Sequence, residues 1–262
     1  MDSINYLLSI ETRGIKFGLA RTRAIMKACG NPHIKLPAIQ IVGTNGKGSV
    51  CAILASIFKA AVYKTGLVTS PHLVHVNERI RINGQPIKNE SITNFIQLYK
   101  QDIEKIEATF FETTTAMACW YFKKENVDIA IMETGLGGRL DSTSICNPII
   151  TVITPVSLDH MEILGETLSE IALEKAGAMK KDVQCLSARQ KDEVFAVLQS
   201  EATRKGTPIH FINGEKRIKI DLNIPGEKQI ENTELTLSIL DHLKELNISD
   251  SAIHEGLKMV KW

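Results

Sequence analysis

Short apolar runs rich in β-branched residues alternate along the chain with longer segments of helical periodicity. The runs, which predict strands, are AIQIV (38–42), GLVTS (66–70), DIAIME (128–133), IITVIT (149–154), VQCLS (183–187) and IHFI (209–212). The segments that predict helices lie at about 48–62, 90–107, 112–125, 166–179, 190–205 and 229–245, with a further start near Ser249. Apolar strands separated by helices are typical of a doubly wound α/β fold, a mostly parallel sheet with helices on both faces.

The first of these strands leads into GTNGKGS (43–49) and then into an apolar helix. The glycines of this segment let backbone amides turn inward, and the helix N-terminus directs free N–H groups at the same spot. Lys47 would meet the outer phosphates of a nucleotide, and Ser49 a phosphate or Mg²⁺. The spacing departs from the common G-x-x-x-x-G-K-[ST] pattern because Gly48 separates Lys47 from Ser49. The alternative is a glycine-rich turn with one solvated lysine.

Three further polar residues follow the carboxyl ends of predicted strands. Ser70 ends GLVTS, Glu133 ends DIAIME, and His160 lies a few residues past IITVIT. Ligands of open α/β sheets bind at this edge, and a carboxylate beside a phosphate loop can hold Mg²⁺. The alternatives are an idle carboxylate at a strand end and a surface histidine.

Lys175 falls on the apolar stripe of a predicted helix. The helix begins with a capping box formed by Thr167 and Glu170. Lys175 lies four residues after Ile171 and seven after Leu168, so that it faces inward. A buried ammonium needs a partner or loses its charge. The sequence leaves open a snorkelling lysine, whose tip reaches water, and a lysine that is used chemically near phosphates and metal.

Composition narrows the classes of partner. The chain of 262 residues has 44% apolar and 23% charged residues, as in ordinary soluble domains, and a net charge of +1 gives no footprint for nucleic acid or anionic membranes. Its five cysteines form no C-x-x-C pair, which favours a reducing cytosol. We find no apolar run long enough to span a membrane and no secretory signal at the N-terminus. We therefore expect a cytoplasmic monomer.

Several blocks, taken in order, resemble the folylpolyglutamate synthase/dihydrofolate synthase family within the Mur ligase superfamily. The blocks are GTNGKGS, TSPHL with NERIRING, FFETTT, METGLGGRLDST, LDHMEILGETLSEIALEKAG and QIENTELTL. The resemblance runs from about Gly18 to Asn232. It implies a Mur-ligase central-domain fold and an ATP-dependent ligase. Such an enzyme phosphorylates the carboxylate of dihydropteroate or a reduced folate, and the amine of L-glutamate then attacks the acyl phosphate to form an amide.

The resemblance also implies roles for individual residues. The phosphate cradle would consist of Thr44, Asn45, Gly46, Lys47, Gly48 and Ser49, with Asn232 on the adenine side. The Mg²⁺ ligands, at two expected sites, would be Ser70, Glu133 and His160, joined by a carbamylated Lys175. The residues bordering the pteroate or folate would be Thr109, Phe110, Phe111, Glu112, Leu140, Asp141 and Ser142. The residues expected to act in catalysis are Lys47, His160 and Lys175.

The sequence departs from the family pattern at its end. It stops at HEGLKMVKW (254–262), where the resemblance implies a proline-glycine-arginine segment and then a second α/β domain. We therefore expect residues 1–262 to form a single ATP-binding domain without the C-terminal glutamate-ligase domain. Two other functions stay open: a non-catalytic domain that binds Mg-ATP, and a peptidoglycan-type Mur ligase. The TSPHL and FFETTT blocks argue against the second of these.

Overall fold

The computed structural model describes residues 2–212 and 226–260. The α-helices within them are α1 (Ser3–Ser9), α2 (Ala20–Ala28), α3 (Lys47–Ala60), α4 (Asn89–Ile106), α5 (Phe110–Lys124), α6 (Met161–Leu164), α7 (Leu168–Ala176), α8 (Asp192–Lys205), α9 (Glu227–His242) and α10 (Asp250–Lys258). The strands are β1 (Ala38–Val42), β2 (Thr65–Val68), β3 (Ile80–Ile82), β4 (Gln85–Pro86), β5 (Ile129–Glu133), β6 (Pro148–Ile153), β7 (Cys185–Ser187) and β8 (Ile209–Phe211). Short 3₁₀ helices occupy Ile10–Arg13, Val76–Arg79, Ser142–Ile145 and Lys244–Leu246.

These strands form one sheet in the order β4-β3-β2-β5-β1-β6-β7-β8. The six strands predicted from the apolar runs are confirmed, and each pairs in parallel with its neighbours among the six. Strand β1 lies at the centre, between β5 and β6. Because the carboxyl ends of parallel strands meet at one edge, the loops after β1, β2, β5 and β6 lie side by side there.

The hairpin β3–β4 and the helix α2 were not predicted. Strand β3 pairs antiparallel with both β2 and β4. The turn of the hairpin is Asn83–Gly84, and both residues have positive φ, at +50° and +81°. This is the Asn-Gly turn typical of tight hairpins, so the sequence did carry a signal for it. Helix α2 is too polar to stand out, since it buries only Thr22, Ile25 and Met26.

Both faces of the sheet are covered. Ile39 and Ile41 of β1 pack on the side of α3, α9 and α10. Ala130 and Met132 of β5 face the opposite side, towards α1, α2, α4 and α5. Strands β6 and β7 form a third cluster with α7 and α8. Each large apolar side chain buried in this way stabilises the fold by about 1.5–3 kcal/mol, so the loops are carried on a rigid scaffold. Within the described residues no helix is both long and apolar enough to cross a bilayer.

Candidate active site

The expected phosphate loop is the turn between β1 and α3. Gly43 (φ +144°) and Gly46 (φ +86°) adopt backbone conformations that L side chains rarely take up. A Cβ atom on Gly43 would lie 1.9 Å from Oγ1 of Thr154, and one on Gly46 would lie 2.4 Å from Oδ1 of Asn232. Any other residue at either position would strain the backbone and force a neighbouring group to move. Asn232, which the resemblance places on the adenine side of the nucleotide, lies on α9 directly against the loop.

The loop is tied to the segment that follows β6. The backbone amides of Thr44 and Asn45 both donate to the carbonyl of Pro155, at 3.1 and 3.2 Å. Oγ1 of Thr44 donates to the carbonyl of Ser157 at 3.2 Å, and Nδ2 of Asn45 donates to its Oγ at 2.9 Å. The backbone amides of Thr44 and Asn45, two of the donors expected to bind phosphate, therefore already have an acceptor in the protein. The amides that begin α3 lie in the first turn, where a helix provides no acceptor, so they are the donors available to a phosphate.

Two lysines converge on this loop. Nζ of Lys47 lies 3.2 Å from the carbonyls of Gly43 and Thr44. Nζ of Lys175 donates to the same Gly43 carbonyl at 2.8 Å, from a side chain only 3% exposed. Burial, helped by the nearby charge of Lys47, lowers the pKa of Lys175 to about 8. Lys175 therefore ends on the phosphate loop instead of snorkelling to water, and its amine loses its proton more readily than an exposed lysine does.

Glu133 and Ser70 meet at the ends of β5 and β2. The backbone amide of Ser70 donates to Oε2 of Glu133 at 3.1 Å. The carboxylate is 5% exposed, and burial raises its pKa to about 7 against the opposing effects of the Ser70 amide and Lys47. A buried carboxylate of this kind is stabilised as an anion by a nearby cation. The pair therefore fits the expected role of holding Mg²⁺.

His160 lies at the same sheet edge but faces different partners. It caps α6 with a left-handed backbone (φ +48°), and its side chain is 51% exposed. Its ring nitrogens lie 3.8 Å from Asp159 and 3.9 Å from Glu162. Across residues 2–212 and 226–260, no three His, Cys, Asp or Glu side chains form a metal cage. Mg²⁺ is usually held by one or two carboxylates together with substrate phosphates, so the residues present suit a metal that arrives with a nucleotide.

A cavity of about 320 Å³ opens beside this edge. Six of the seven residues expected to border the pteroate line it: Thr109, Phe111, Glu112, Leu140, Asp141 and Ser142. The seventh, Phe110, is buried and lies with its ring 4.9 Å below the guanidinium of Arg79. Both predicted segments therefore contribute to the lining of the cavity, and Phe110 does not.

The carboxylate of Glu112 caps the start of α5 and forms an ion pair with Arg21. Its Oε2 accepts from the Thr109 amide at 2.7 Å, and its own amide donates to Oγ1 of Thr109 at 3.3 Å, which forms a capping box. Nε of Arg21 lies 3.2 Å from both carboxylate oxygens. Nη2 of Arg21 is buried and has no hydrogen-bond partner in the protein. Sequence reasoning missed Arg21, because α2 carried no motif.

Asp141 shapes the loop between β5 and β6. Its Oδ2 accepts from the amides of Gly135 and Leu136, at 3.0 and 2.9 Å. Its Oδ1 accepts from the amide and the hydroxyl of Thr143, at 2.8 and 2.6 Å. Burial raises the pKa of Asp141, while these four hydrogen bonds lower it. Both carboxylate oxygens therefore accept two hydrogen bonds each from the loop. Asp141 lines the cavity, but its oxygens already have protein donors.

The opposite wall comes from the segment between the first 3₁₀ helix and α2. Gly14, Ile15, Lys16 and Phe17 line the cavity. Ile15 and Phe17 are each 62% exposed, so their apolar side chains are accessible to a ligand in the cavity. Sequence reasoning missed this wall because the four residues match no motif. Their apolar character outside any predicted strand or helix was the one available signal.

Comparison with known proteins identifies the family. The dihydrofolate synthase/folylpolyglutamate synthase of Bacillus subtilis is 36% identical over 281 residues, covering 95% of this chain and 65% of the relative. The folylpolyglutamate synthase of Mycobacterium tuberculosis, solved in complex with ADP, superposes with a TM-score of 0.89 at 30% identity, covering 100% of this chain and 67% of that one. The sequence model of the Mur ligase middle domain matches residues 41–183. The chain belongs to the Mur ligase family, with the folylpolyglutamate and dihydrofolate synthases.

A further solved structure of a Mur-family folylpolyglutamate synthase (FPGS) contains AMPPCP and folate. It superposes on this chain with a TM-score of 0.90 at 26% identity, covering 100% of this chain and 72% of that one. The resemblance inferred from the sequence motifs is therefore confirmed for family and fold. This Mur-family chain spans 65% of the length of its Bacillus subtilis relative and 35% of a probable bifunctional folylpolyglutamate synthase/dihydropteroate synthase of Halobacterium salinarum.

Proposed function

We propose that this chain is the ATP-binding part of a ligase that joins L-glutamate to dihydropteroate or a reduced folate. One observation carries the proposal: a single segment links the two parts of the site. It begins at Glu133, beside the phosphate loop, and reaches Leu140, Asp141 and Ser142 in the cavity wall. A nucleotide on the loop and a carboxylic acid in the cavity would therefore meet along one short stretch of backbone.

The chemistry follows from that juxtaposition. An oxygen of the substrate carboxylate attacks the γ-phosphorus of ATP, the bond to the bridging oxygen breaks, and ADP leaves. The amine of glutamate then attacks the acyl carbon, phosphate leaves and an amide forms. Lys47 supplies positive charge at the transferred phosphoryl group, and the first amides of α3 hold the phosphates. A solved FPGS of the same fold holds AMPPCP and folate together, which supports the proposal.

Ser70, Glu133 and His160 are the residues that we assign to Mg²⁺, at two sites. When bound, Mg²⁺ neutralises charge on the phosphates and orients the phosphoryl group. Glu133 and Ser70 are already in contact, at 3.1 Å. His160 would have to turn from Asp159 and Glu162 toward the phosphates, and its 51% exposure leaves it free to do so.

Lys175 is the residue that we assign to carbamylation. The ammonium first loses one proton. The neutral amine then attacks CO₂, forms an N–C bond and releases a second proton, which gives an anionic carbamate. The buried position of Lys175 and its pKa of about 8 favour the neutral amine that this step needs. The carbamate nitrogen keeps one hydrogen, so the bond to the Gly43 carbonyl can persist while the new carboxylate faces the metal.

We further propose a cytoplasmic monomer whose partners are small molecules, with no nucleic acid and no membrane. The balanced charge, +1 over 262 residues, supports this. Cys29, Cys51, Cys119, Cys146 and Cys185 are all free and buried, as suits a reducing compartment. Sedimentation of the purified chain would test the monomer.

The experiment that tests the function measures binding and ligation in parallel. Calorimetry with Mg-AMPPCP and with tetrahydrofolate is followed by an assay with ATP, glutamate and either dihydropteroate or tetrahydrofolate, with the amide product detected by mass spectrometry. Lys47→Ala should abolish nucleotide binding, whereas Lys59→Ala, an exposed lysine of the same helix, should not. A wild-type chain that binds neither ligand contradicts the proposal. Nucleotide binding without ligation supports the non-catalytic alternative.

A further inference from the structure

Two amides of the phosphate loop share one carbonyl acceptor outside the loop. Pro155 accepts hydrogen bonds from two consecutive loop amides, those of Thr44 and Asn45. The orientation of the Pro155 carbonyl therefore helps to fix the backbone at the start of the loop. A peptide in a connection between a strand and a helix has no ladder to hold it, so something else must fix that orientation.

The side chain of Gln190 grips the backbone on both sides of Pro155. Its Oε1 accepts from the amide of Val156 at 3.0 Å, and its Nε2 donates to the carbonyl of Thr154 at 3.2 Å. The two backbone partners settle which end of the amide is which, because a backbone N–H needs an acceptor and a carbonyl needs a donor. Gln190 thus spans Pro155 and restrains the peptides that flank it.

Gln190 is itself held from the next strand. Its Nε2 also lies 3.1 Å from Oγ of Ser187, and that hydroxyl donates to the carbonyl of Ala188 at 2.9 Å. The amide of Ala188 donates in turn to Ile153, the last residue of β6, at 2.8 Å. The chain of contacts therefore runs from β7, through Gln190 and the segment after β6, to the loop that carries Lys47.

We propose that Gln190 is a positioning residue for the nucleotide: it orients the Pro155 carbonyl, and through it the phosphate loop, without touching the ligand. The inference rests on the proposed function, because it requires that the loop bind a nucleotide. It adds a residue that lies outside every motif used to recognise the site. The proposal also predicts that Gln190 affects only nucleotide binding, since it does not line the cavity assigned to the pteroate.

The test compares two substitutions at this position. Gln190→Leu removes both backbone contacts. Gln190→Glu has the same size and keeps an acceptor for Val156, but it sets a carboxylate oxygen against the carbonyl of Thr154. The matched control is Gln184→Leu. Gln184 directly precedes β7 and is half-buried, and its side-chain amide donates to the carbonyl of the neighbouring Cys185.

Each variant of the 262-residue chain is titrated with Mg-AMPPCP and, separately, with tetrahydrofolate, after circular dichroism has established that it is folded. We expect both Gln190 variants to weaken Mg-AMPPCP binding about tenfold, the effect of losing one or two hydrogen bonds that hold the site. Tetrahydrofolate binding should not change, and Gln184→Leu should match the wild type in both titrations. A purely structural role would lower both affinities or neither.

The outcomes separate the two proposals. If both Gln190 variants bind Mg-AMPPCP as tightly as the wild type does, the positioning role is overturned and the proposed function stays intact. Equal losses for the two ligands also overturn the positioning role. If the wild-type chain binds no Mg-AMPPCP, the proposed function has failed, and the positioning role fails with it. If Gln190→Leu does not fold, the isosteric Gln190→Glu decides.

Discussion

The side-chain nitrogen of Lys175 donates a hydrogen bond to the backbone carbonyl of Gly43 across 132 residues of sequence. The contact brings helix α7 onto the phosphate loop and keeps the amine out of bulk water. Because burial lowers its pKa to about 8, the neutral form grows as the pH rises towards and past that value. The chemistry open to this lysine is therefore set by pH.

The first prediction concerns carbamylation. With ¹³C-labelled CO₂ held at constant dissolved concentration, we expect the carbamate signal in the NMR spectrum to increase between about pH 7 and pH 8.5, as the ammonium loses its proton. The signal should be absent in Lys175→Ala and present in Lys181→Ala, an exposed lysine shortly after α7. A signal independent of pH, or one that survives Lys175→Ala, contradicts the assignment.

The second prediction extends this to activity. Where the ligation assay gives product, Lys175→Ala should lose most of it, and millimolar short carboxylates such as acetate should restore a part by occupying the space of the carbamate. Lys181→Ala should be unaffected with or without acetate. Complete absence of rescue, together with no added mass of CO₂ on Lys175 in bicarbonate buffer, would rule out the carbamate.

The third prediction uses two glycines with similar backbones and different surroundings. Gly46→Ala puts a Cβ atom 2.4 Å from Oδ1 of Asn232, whereas Gly84→Ala, at φ +81°, meets nothing within 4 Å. Each substitution should destabilise the fold by about 1–2 kcal/mol through backbone strain. Only Gly46→Ala should also weaken Mg-AMPPCP binding, by about tenfold or more, because the loop or Asn232 must move. Equal nucleotide affinities in the two variants would mean that this contact does not matter for binding.

The fourth prediction concerns the ion pair beneath the cavity. Arg21→Met leaves the carboxylate of Glu112 without its cation, with a side chain only 4% exposed. We expect the free energy of unfolding to fall by about 2–3 kcal/mol in urea titrations, less than for a fully buried pair because Arg21 is 25% exposed. Arg23→Met, an exposed arginine two residues further along the same helix, is the control. If the two variants unfold alike, the pair contributes little.

The fifth prediction separates the two ligands. Phe111→Ala removes an aromatic wall of the cavity and should weaken tetrahydrofolate binding about tenfold while Mg-AMPPCP binding stays unchanged. Phe195→Ala, which removes an exposed aromatic ring on α8, should change neither affinity. Loss of nucleotide binding in Phe111→Ala would show that the cavity and the loop are not independent sites.

The apolar pattern was sufficient for the six parallel strands because most of their residues are buried and apolar. It placed the loop 43–49, Ser70, Glu133 and His160 at one edge by topology alone. It could not supply the bonds between loops. That the carbonyl of Pro155 holds Thr44 and Asn45, or that Gln190 spans Pro155, depends on how segments distant in sequence face each other. Single polar residues in loops carry no periodicity from which such contacts can be read.

The four hydrogen bonds to Asp141 have a consequence for the thermodynamics of binding. They fix the backbone of the cavity wall from Gly135 to Thr143 while the protein folds. The conformational entropy of this stretch is therefore lost before any ligand arrives, and an incoming ligand meets a preorganised surface. Little further conformational entropy would then be lost from this wall on binding, so the affinity would depend mainly on shape and contacts. This is how a cavity of about 320 Å³ could discriminate between ring systems of similar size.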